Sequence, residues 1–330
     1  MEILRHKQIY EELLSAQHPV FVSDERIDGD SLGSALAMVD FLKMYGRPRP
    51  PVFVSGPIPA VYQSLPHIEM CTDDMSVFLD PSVDLIVSFD CSDSEYIDRL
   101  LETATTRPRV INIDHHKTNG LYGNVNQVIV GAPATAEVVY RFFEHHHILI
   151  SKDAATCLLT GLCFDTTAFS NSATNERALH VASQLVLSGA RVQDAIRSMF
   201  KNRSIPALRV WGLALERLHH NPTFDCIITC LTRKDIEEND VLDEEIDGLS
   251  NFLSLVTDTE TLYVLRETPE GGVKISMRSS SRDVSAVAKA NGGGGHEKAA
   301  GYSVENAKLV PAEDGIWRVE RNVEWSKVVE

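Results

Sequence analysis

The sequence predicts an α/β protein: a parallel-sheet domain with a helical completion, joined by a connecting helix to a smaller α/β domain. Three observations carry this. Short Val/Ile-rich runs bounded by polar or turn residues begin at Pro19, Pro51, Val83 and Arg109, and helical stretches separate several of them; that alternation marks a parallel sheet with crossover helices. From about Ala134 to His219 the pattern turns helical. From roughly residue 221 strand-like runs return. A chain of 330 residues is also too long for most single cores, so two domains are expected.

The elements follow in order. The opening "MEILRHKQIYEELLSAQ" reads as an amphipathic helix with both acidic and basic residues, not as a signal peptide. "PVFVS" from Pro19 is a short buried strand, and "SLGSALAMVDFLKMYG" has helical apolar spacing closed by Gly46. Further strands are "PVFVS" from Pro51, "VDLIVSFD" ending at Asp90 and "RVINIDHH" ending at His116. Helical segments include "TAEVVYRFFEHHHI", "DAATCLLTGLCFDTTAF", "NERALHVASQLVLSGA" and "IPALRVWGLALERL". In the last third, "FDCIITCLT", "TLYVLRET" and "GVKISMRSS" read as strands and "DVSAVAKAN" as a helix, followed by "GGGGHEKAAGYSV". The boundaries this suggests are 1–190, a connecting segment 191–220, and 221–330.

Composition narrows the function. No run reaches the ~18 apolar residues of a membrane span, so a cytoplasmic protein is expected. The six cysteines form no C-x-x-C pair and read as buried small hydrophobes. A net charge of −16 argues against gripping long nucleic acid, which needs a positive surface to displace condensed counterions. A small anionic substrate held locally is compatible with it.

In a parallel sheet, ligands bind beyond the carboxyl ends of the strands. Asp28, Asp30, Asp90 and the "DHH" of Asp114, His115 and His116 all fall there. Carboxylates with imidazole form the ligand set of manganese, magnesium or iron, and Asp28, Asp30, Asp90, His115 and Asp165 supply one. Each also has an ordinary reading, since an Asp in a β-to-α loop is commonly a helix cap or a turn residue. Asp165, within the apolar "GLCFDTTAF", fits that reading less well, because an unpaired carboxylate there is costly. The three histidines of "EHHHI" point in different directions along a helix and read as surface or packing. "GGGGH" fits a flexible linker or a phosphate cradle of glycine amides ahead of a helix. Arg278 in "SMRSS" fits a surface arginine or a bidentate phosphate ligand, and Arg282 and Lys298 lie close enough in sequence to complete a local basic pocket.

Taken in this order, "IDGDSLGS", "VSFDCSD", "IDHHKT", "GLCFDTTAF" and "GGGGHEKAAG" resemble the DHH phosphoesterase family with a carboxyl-terminal DHHA1 domain. The length and two-domain layout look most similar to its nanoRNase (oligoribonuclease) and pAp phosphatase branch. The resemblance implies a DHH catalytic domain over 1–190 and a DHHA1 substrate-binding domain over 221–330. It implies two divalent ions, foremost Mn2+ with Mg2+ as the alternative, bridged by Asp90. Asp28 would help hold the first, and Asp30, His115 and Asp165 the second. Asp114 would orient the site and His116 would face the scissile phosphate, while Arg278, the backbone of Gly293, Gly294 and Gly295, and His296 would bind the other phosphate or nucleotide end. The implied substrates are short RNA or dinucleotides and pAp, attacked by a metal-activated water, and a homodimer is the implied assembly.

One position departs from the pattern. The family's first motif usually opens with a histidine ligand four residues before the first aspartate, where this chain has Asp24. Ile27 replaces a common proline, a lesser change. Asp24 is compatible with a natural ligand variant, an inactivating substitution, or a protein that binds nucleotides without cleaving them; every other motif position being intact favours the second. Alternatives to the nanoRNase reading are a phosphodiesterase for linear dinucleotides of the pApA type and a nucleotide-binding or sensing protein.

Overall fold

The computed structural model describes residues 2–200, 203–312 and 317–321, without the side chains of residues 2, 3, 198–200 and 296. The chain divides into two units, Met1–Asn202 and Arg203–Glu330.

In the first unit, β1 (Pro19–Val22), β2 (Val52–Phe53), β3 (Cys71–Thr72), β4 (Leu85–Phe89), β5 (Arg109–Asp114) and β6 (Val125–Val128) form one sheet. Their order is β3-β2-β1-β4-β5-β6, and every pair is parallel. The central strands are apolar throughout because both faces are covered. Successive side chains point to opposite faces, so Phe21, Val87, Phe89 and Ile111 join one core while Val20, Val22, Ile86 and Val110 join another. The strand order reverses between β1 and β4, which leaves a crevice beyond their carboxyl ends. β3 and β6 were not expected, and β2 is only two residues long; neither β2 nor β3 is long enough to show a clear period.

The first core is built by α1 (Glu2–Ser15), α2 (Gly29–Met44), α4 (Thr135–His145), α5 (Lys152–Asp165) and α6 (Glu176–Leu187), while α3 (Ser94–Thr103) covers the other face. α2 is buried from Gly29 to Leu42, with apolar residues on every face and Asp30, Ser31, Ser34 and Asp40 buried among them. It packs directly on α5 at two glycines. A methyl group at Gly33 would lie 2.4 Å from the carbonyl oxygen of Cys157, and one at Gly161 would lie 2.6 Å from Asp30 Oδ1. This close approach brings Asp165, at the end of α5, to the start of α2. At the other end of α4, the ring of His145 stacks on His6 and that of His146 on Tyr10, which pins α1.

The expected connecting helix over 191–220 is two helices. α7 (Val192–Phe200) belongs to the first unit and α8 (Ile205–Glu216) to the second. Ser204 caps α8 through the Ala207 amide and Pro206 sits in its first turn, a start signal that separates it from α7.

In the second unit, β7 (His219–Asn221), β8 (Cys226–Leu231), β9 (Thr261–Glu267), β10 (Val273–Ser279), β11 (Gly294–His296) and β12 (Ala299–Val304) form a sheet of order β11-β12-β10-β9-β8-β7. Only the β8–β9 pair is parallel. α8, α9 (Arg233–Glu237) and α10 (Leu249–Val256) supply the apolar cluster on one side, and α11 (Val284–Ala290) packs in a second cluster. A hairpin of β13 (Ala307–Pro311) and β14 (Trp317–Arg321) follows. Five of the six cysteines are buried and all are free thiols. No helix among the described residues is long and apolar enough to cross a membrane.

Candidate metal centre

The carboxyl ends of β1, β4 and β5 deliver the polar residues, and each is held by a local device. After β1, Asp28 caps α2, accepting from the amides of Asp30 at 3.0 Å and Ser31 at 2.9 Å. Asp30 follows in the first turn, fully buried. Its Oδ2 accepts from the Thr135 amide at 2.5 Å and its Oδ1 from the Ala136 amide at 2.8 Å, so the start of α4 satisfies it. After β4, Asp90 adopts φ +62°, a left-handed conformation that Asp tolerates better than most residues. The Asp90 amide donates to the Ile113 carbonyl at 3.0 Å, and Thr135 Oγ1 donates to Asp90 Oδ1 at 2.8 Å.

After β5, the buried Asp114 organises the two histidines. Its Oδ1 accepts from the His115 amide at 2.7 Å, the His116 amide at 3.2 Å and His116 Nδ1 at 2.8 Å. Its Oδ2 accepts from Asn119 Nδ2 at 2.6 Å. Burial opposes its charge, but His116 and Asn119 outweigh it and hold the carboxyl below the usual range. His115 Nδ1 lies 3.0 Å from the Ala132 carbonyl oxygen, so it donates there and Nε2 carries the lone pair in the neutral ring.

Two groups of ligand atoms lie within 4.8 Å of one another here: Asp90, Asp114, His115 and His116, and Asp30, His115 and Asp165. His115 Nε2 belongs to the meeting point. It is buried, 3.0 Å from Asp165 Oδ2 and 3.5 Å from Asp90 Oδ1. Here it is aimed at carboxylate oxygens as ligands are aimed at a shared cation.

The electrostatics agree. Burial, then the charge of Asp165, pushes Asp28 up to about 7 and Asp30 up to about 8. Burial, then Asp30 and Asp28, raises Asp90 well above the carboxylate range. Burial disfavours charge on His115, but Asp165 and Asp30 prevail and push it up to about 10. One imidazolium is too little positive charge for so many carboxylates crowded out of water. An oxygen-rich set with imidazole fits manganese, magnesium or iron, so the donors suit divalent cations.

Not every expected ligand converges. Asp24 and Asp28 are in neither group. Asp24 Oδ2 accepts from the Arg26 amide at 3.2 Å, and burial raises its pKa; its charge is felt at Asp28 and its own pKa is lowered by His116, so it lies at the margin of the cluster. A third group, Asp40, His67 and Asp153, is internally satisfied: His67 Nε2 lies 2.8 Å from Asp40, Ser151 donates to Asp40 at 2.5 Å, and Arg191 pairs with Asp153 at 3.0 Å.

In the second unit, the glycine run is not a cradle ahead of a helix. It follows α11, with the Gly293 amide donating to the Ala288 carbonyl at 2.9 Å, and then becomes the edge strand β11 paired with β12. Glycine is required by proximity: a methyl at Gly293 would lie 2.2 Å from the Gly301 carbonyl oxygen, and Gly295 has φ +133° with the Ala299 carbonyl 2.6 Å from any added carbon. The side chain of His296 lies outside the described residues. Nor do Arg282 and Lys298 form the expected pocket. Arg282 donates to the Phe224 carbonyl at 2.7 Å and pairs with Asp225 at 3.5 Å, while Lys298 pairs with Glu297 at 3.3 Å. Arg278 is half-buried, and burial lowers its pKa.

Sequence reading missed Thr135, Asn119 and the Ala132 carbonyl. Only the start of α4 in "GAPATAE" hinted that a polar residue would meet the strand ends.

Residues 20–162 match the DHH family, N-terminal domain, and residues 227–314 match the DHHA1 domain. The chain is 28% identical over 305 residues to the bifunctional oligoribonuclease and PAP phosphatase NrnA of Thermus thermophilus, covering 91% of this chain and 89% of that protein. It is 21% identical over 312 residues to the protein of the same name from Bacillus subtilis, covering 92% of each. Among solved structures, an exopolyphosphatase-related protein from Bacteroides fragilis superposes with a TM-score of 0.83 at 23% identity, covering 91% of this chain and 90% of that one.

Proposed function

This chain belongs to the DHH family, with a DHHA1 domain after its DHH domain, and from that premise we propose that it is a phosphoesterase that hydrolyses short oligoribonucleotides to mononucleotides and dephosphorylates pAp. The carrying observation is the buried His115 Nε2 set among the carboxylates of Asp30, Asp90 and Asp165. The two relatives named as oligoribonuclease and PAP phosphatase span nearly the whole chain. A net charge of −16 favours a short substrate over a long nucleic-acid track.

In this reading Asp30, Asp90, His115 and Asp165 would hold one divalent ion, and Asp28 and Asp24 would help to hold a second. When bound, such ions, manganese foremost, would supply Lewis-acid polarisation of the phosphoryl group and a water of lowered pKa. Imidazole among the donors favours manganese over magnesium. The chain's own residues do the rest. Thr135 fixes the Asp90 carboxylate through Oγ1, and the Thr135 and Ala136 amides fix that of Asp30. Asp114 anchors His116 through Nδ1, so His116 donates from Nε2 to a phosphoryl oxygen when charged. In the second unit, Arg278 offers a guanidinium fork for a phosphate group. Asp24 weakens the first site, since it replaces an imidazole and turns its carboxylate toward the Arg26 amide.

The test is release of AMP from pApA, and of phosphate from pAp, by chelator-stripped protein titrated with manganese. Turnover that depends on the metal and disappears in Asp90→Ala supports the proposal. Nucleotide binding without turnover, in this form and in Asp24→His, favours a sensing protein.

A further inference from the structure

We propose that Asn251 is a positioning residue that holds the Arg278 guanidinium ready for a phosphate group without neutralising it. The inference rests on the phosphoesterase reading above and deepens it. Arg278 lies near the end of β10, opposite Ala299 of β12 and Leu262 of β9, so ladders on both sides fix its backbone. Its Nε donates to Asn251 Oδ1 at 2.8 Å, and its Nη1 donates to the Met277 carbonyl at 2.8 Å. The orientation of the amide follows from the donor, because a guanidinium N–H can only donate.

Both acceptors are neutral. That is unusual for this unit, where Arg217 meets Asp235 at 2.5 Å, Arg233 meets Asp243 at 2.7 Å and Arg266 meets Asp247 at 3.3 Å. A guanidinium has five N–H groups. The two bonds set its plane, and among the described residues the Nη2 edge keeps its donors and its charge for a ligand. Burial of the cation opposes its charge, and among the described residues no acid pairs with it. A desolvated cation held by neutral groups is costly until an anion arrives. A phosphate oxygen pair matches the fork.

Asn251 stands exposed in α10, a helix that packs on β9 and β10. Its role is therefore not to fill a core. It orients a charge at the sheet face, and a carboxylate of the same shape in its place would turn Arg278 into an internal ion pair.

The test is Asn251→Asp, which preserves shape and hydrogen bond, with Asn251→Ala beside it. For manganese-dependent hydrolysis of pAp, Asn251→Asp is expected to raise KM about tenfold with kcat within about twofold, and Asn251→Ala to raise KM about threefold. Calorimetric affinity for pAp should fall by the same factors. Unchanged KM and affinity in Asn251→Asp overturn the inference, as does a loss of kcat and melting temperature with KM constant. A parent protein that binds pAp without cleaving it defeats the functional reading alone, because the affinity ratio still decides the role of Asn251. A parent that does not bind pAp overturns both.

Discussion

Gly161→Ala should damage the metal centre from inside the helix pair. Intrinsic helix propensity favours the change by about 1 kcal/mol. The packing opposes it: the new methyl would lie 2.6 Å from Asp30 Oδ1 and 2.9 Å from Ala136 Cβ. Carbon and oxygen normally approach to about 3.3 Å, so α2, α4 or the carboxylate must yield by roughly 0.7 Å. Overpacking costs about 1–3 kcal/mol. Disturbing the amide bonds to a buried carboxylate costs about 1.5–3 more. Set against the propensity gain, the net destabilisation is about 1.5–5 kcal/mol, a fall of roughly 3–20 °C in the melting of a unit of this size. Manganese affinity should drop about 10–100-fold, as when a ligand's supporting shell is lost. Calorimetric unfolding with and without manganese, plus a metal titration, reads both. Gly212→Ala in α8 is the control, since nothing lies within 4 Å of its added carbon, and it should stabilise by up to about 1 kcal/mol. If Gly161→Ala melts with the parent and binds manganese equally, the close α2–α5 contact does not position Asp30.

Two further predictions concern charge. Asp90→Asn should abolish turnover yet raise the melting temperature of the metal-free protein, because Asp90 is buried among Asp30, Asp28 and Asp165; a lower melting temperature would show that the carboxylates do not repel. The pH dependence has a definite sign. Asp28 and Asp30 are raised to about 7 and 8, so from about pH 4 upward the unfolded chain releases protons that the folded one retains, and stability falls with rising pH. His115, raised to about 10, contributes stability that is full below about 6.5 and is lost through 10. The metal-free protein should therefore melt progressively lower from pH 5 to pH 9, and added manganese should raise its melting temperature most at the alkaline end. A metal-free melting temperature that climbs over that range contradicts the assignment.

How much of this was legible in the sequence depended on range. β1, β4 and β5 stood out because burial on both faces makes them continuous apolar runs, and the polar residues that end them fall at the sheet's ligand-binding edge. Asp165 was conspicuous because it is polar in an apolar helix. What escaped was set by tertiary contact: Thr135 reaches Asp90 across 45 positions, and no local pattern encodes that. Asp28 shows both of its readings at once, a helix cap by geometry and a ligand candidate by place. That the glycine run enters an edge strand was not legible, because glycine's freedom in a loop and its lack of bulk against a neighbouring strand leave the same letters. Arg282 was misplaced because nearness in sequence said nothing about Asp225.

The most direct test of the central claim is manganese-dependent hydrolysis of pApA and pAp by this protein and its Asp24→His form under identical conditions. The account predicts metal-dependent release of mononucleotide, at least tenfold faster with histidine at position 24, the size of effect expected when one metal ligand is restored. Absence of turnover on either substrate by both forms would contradict it.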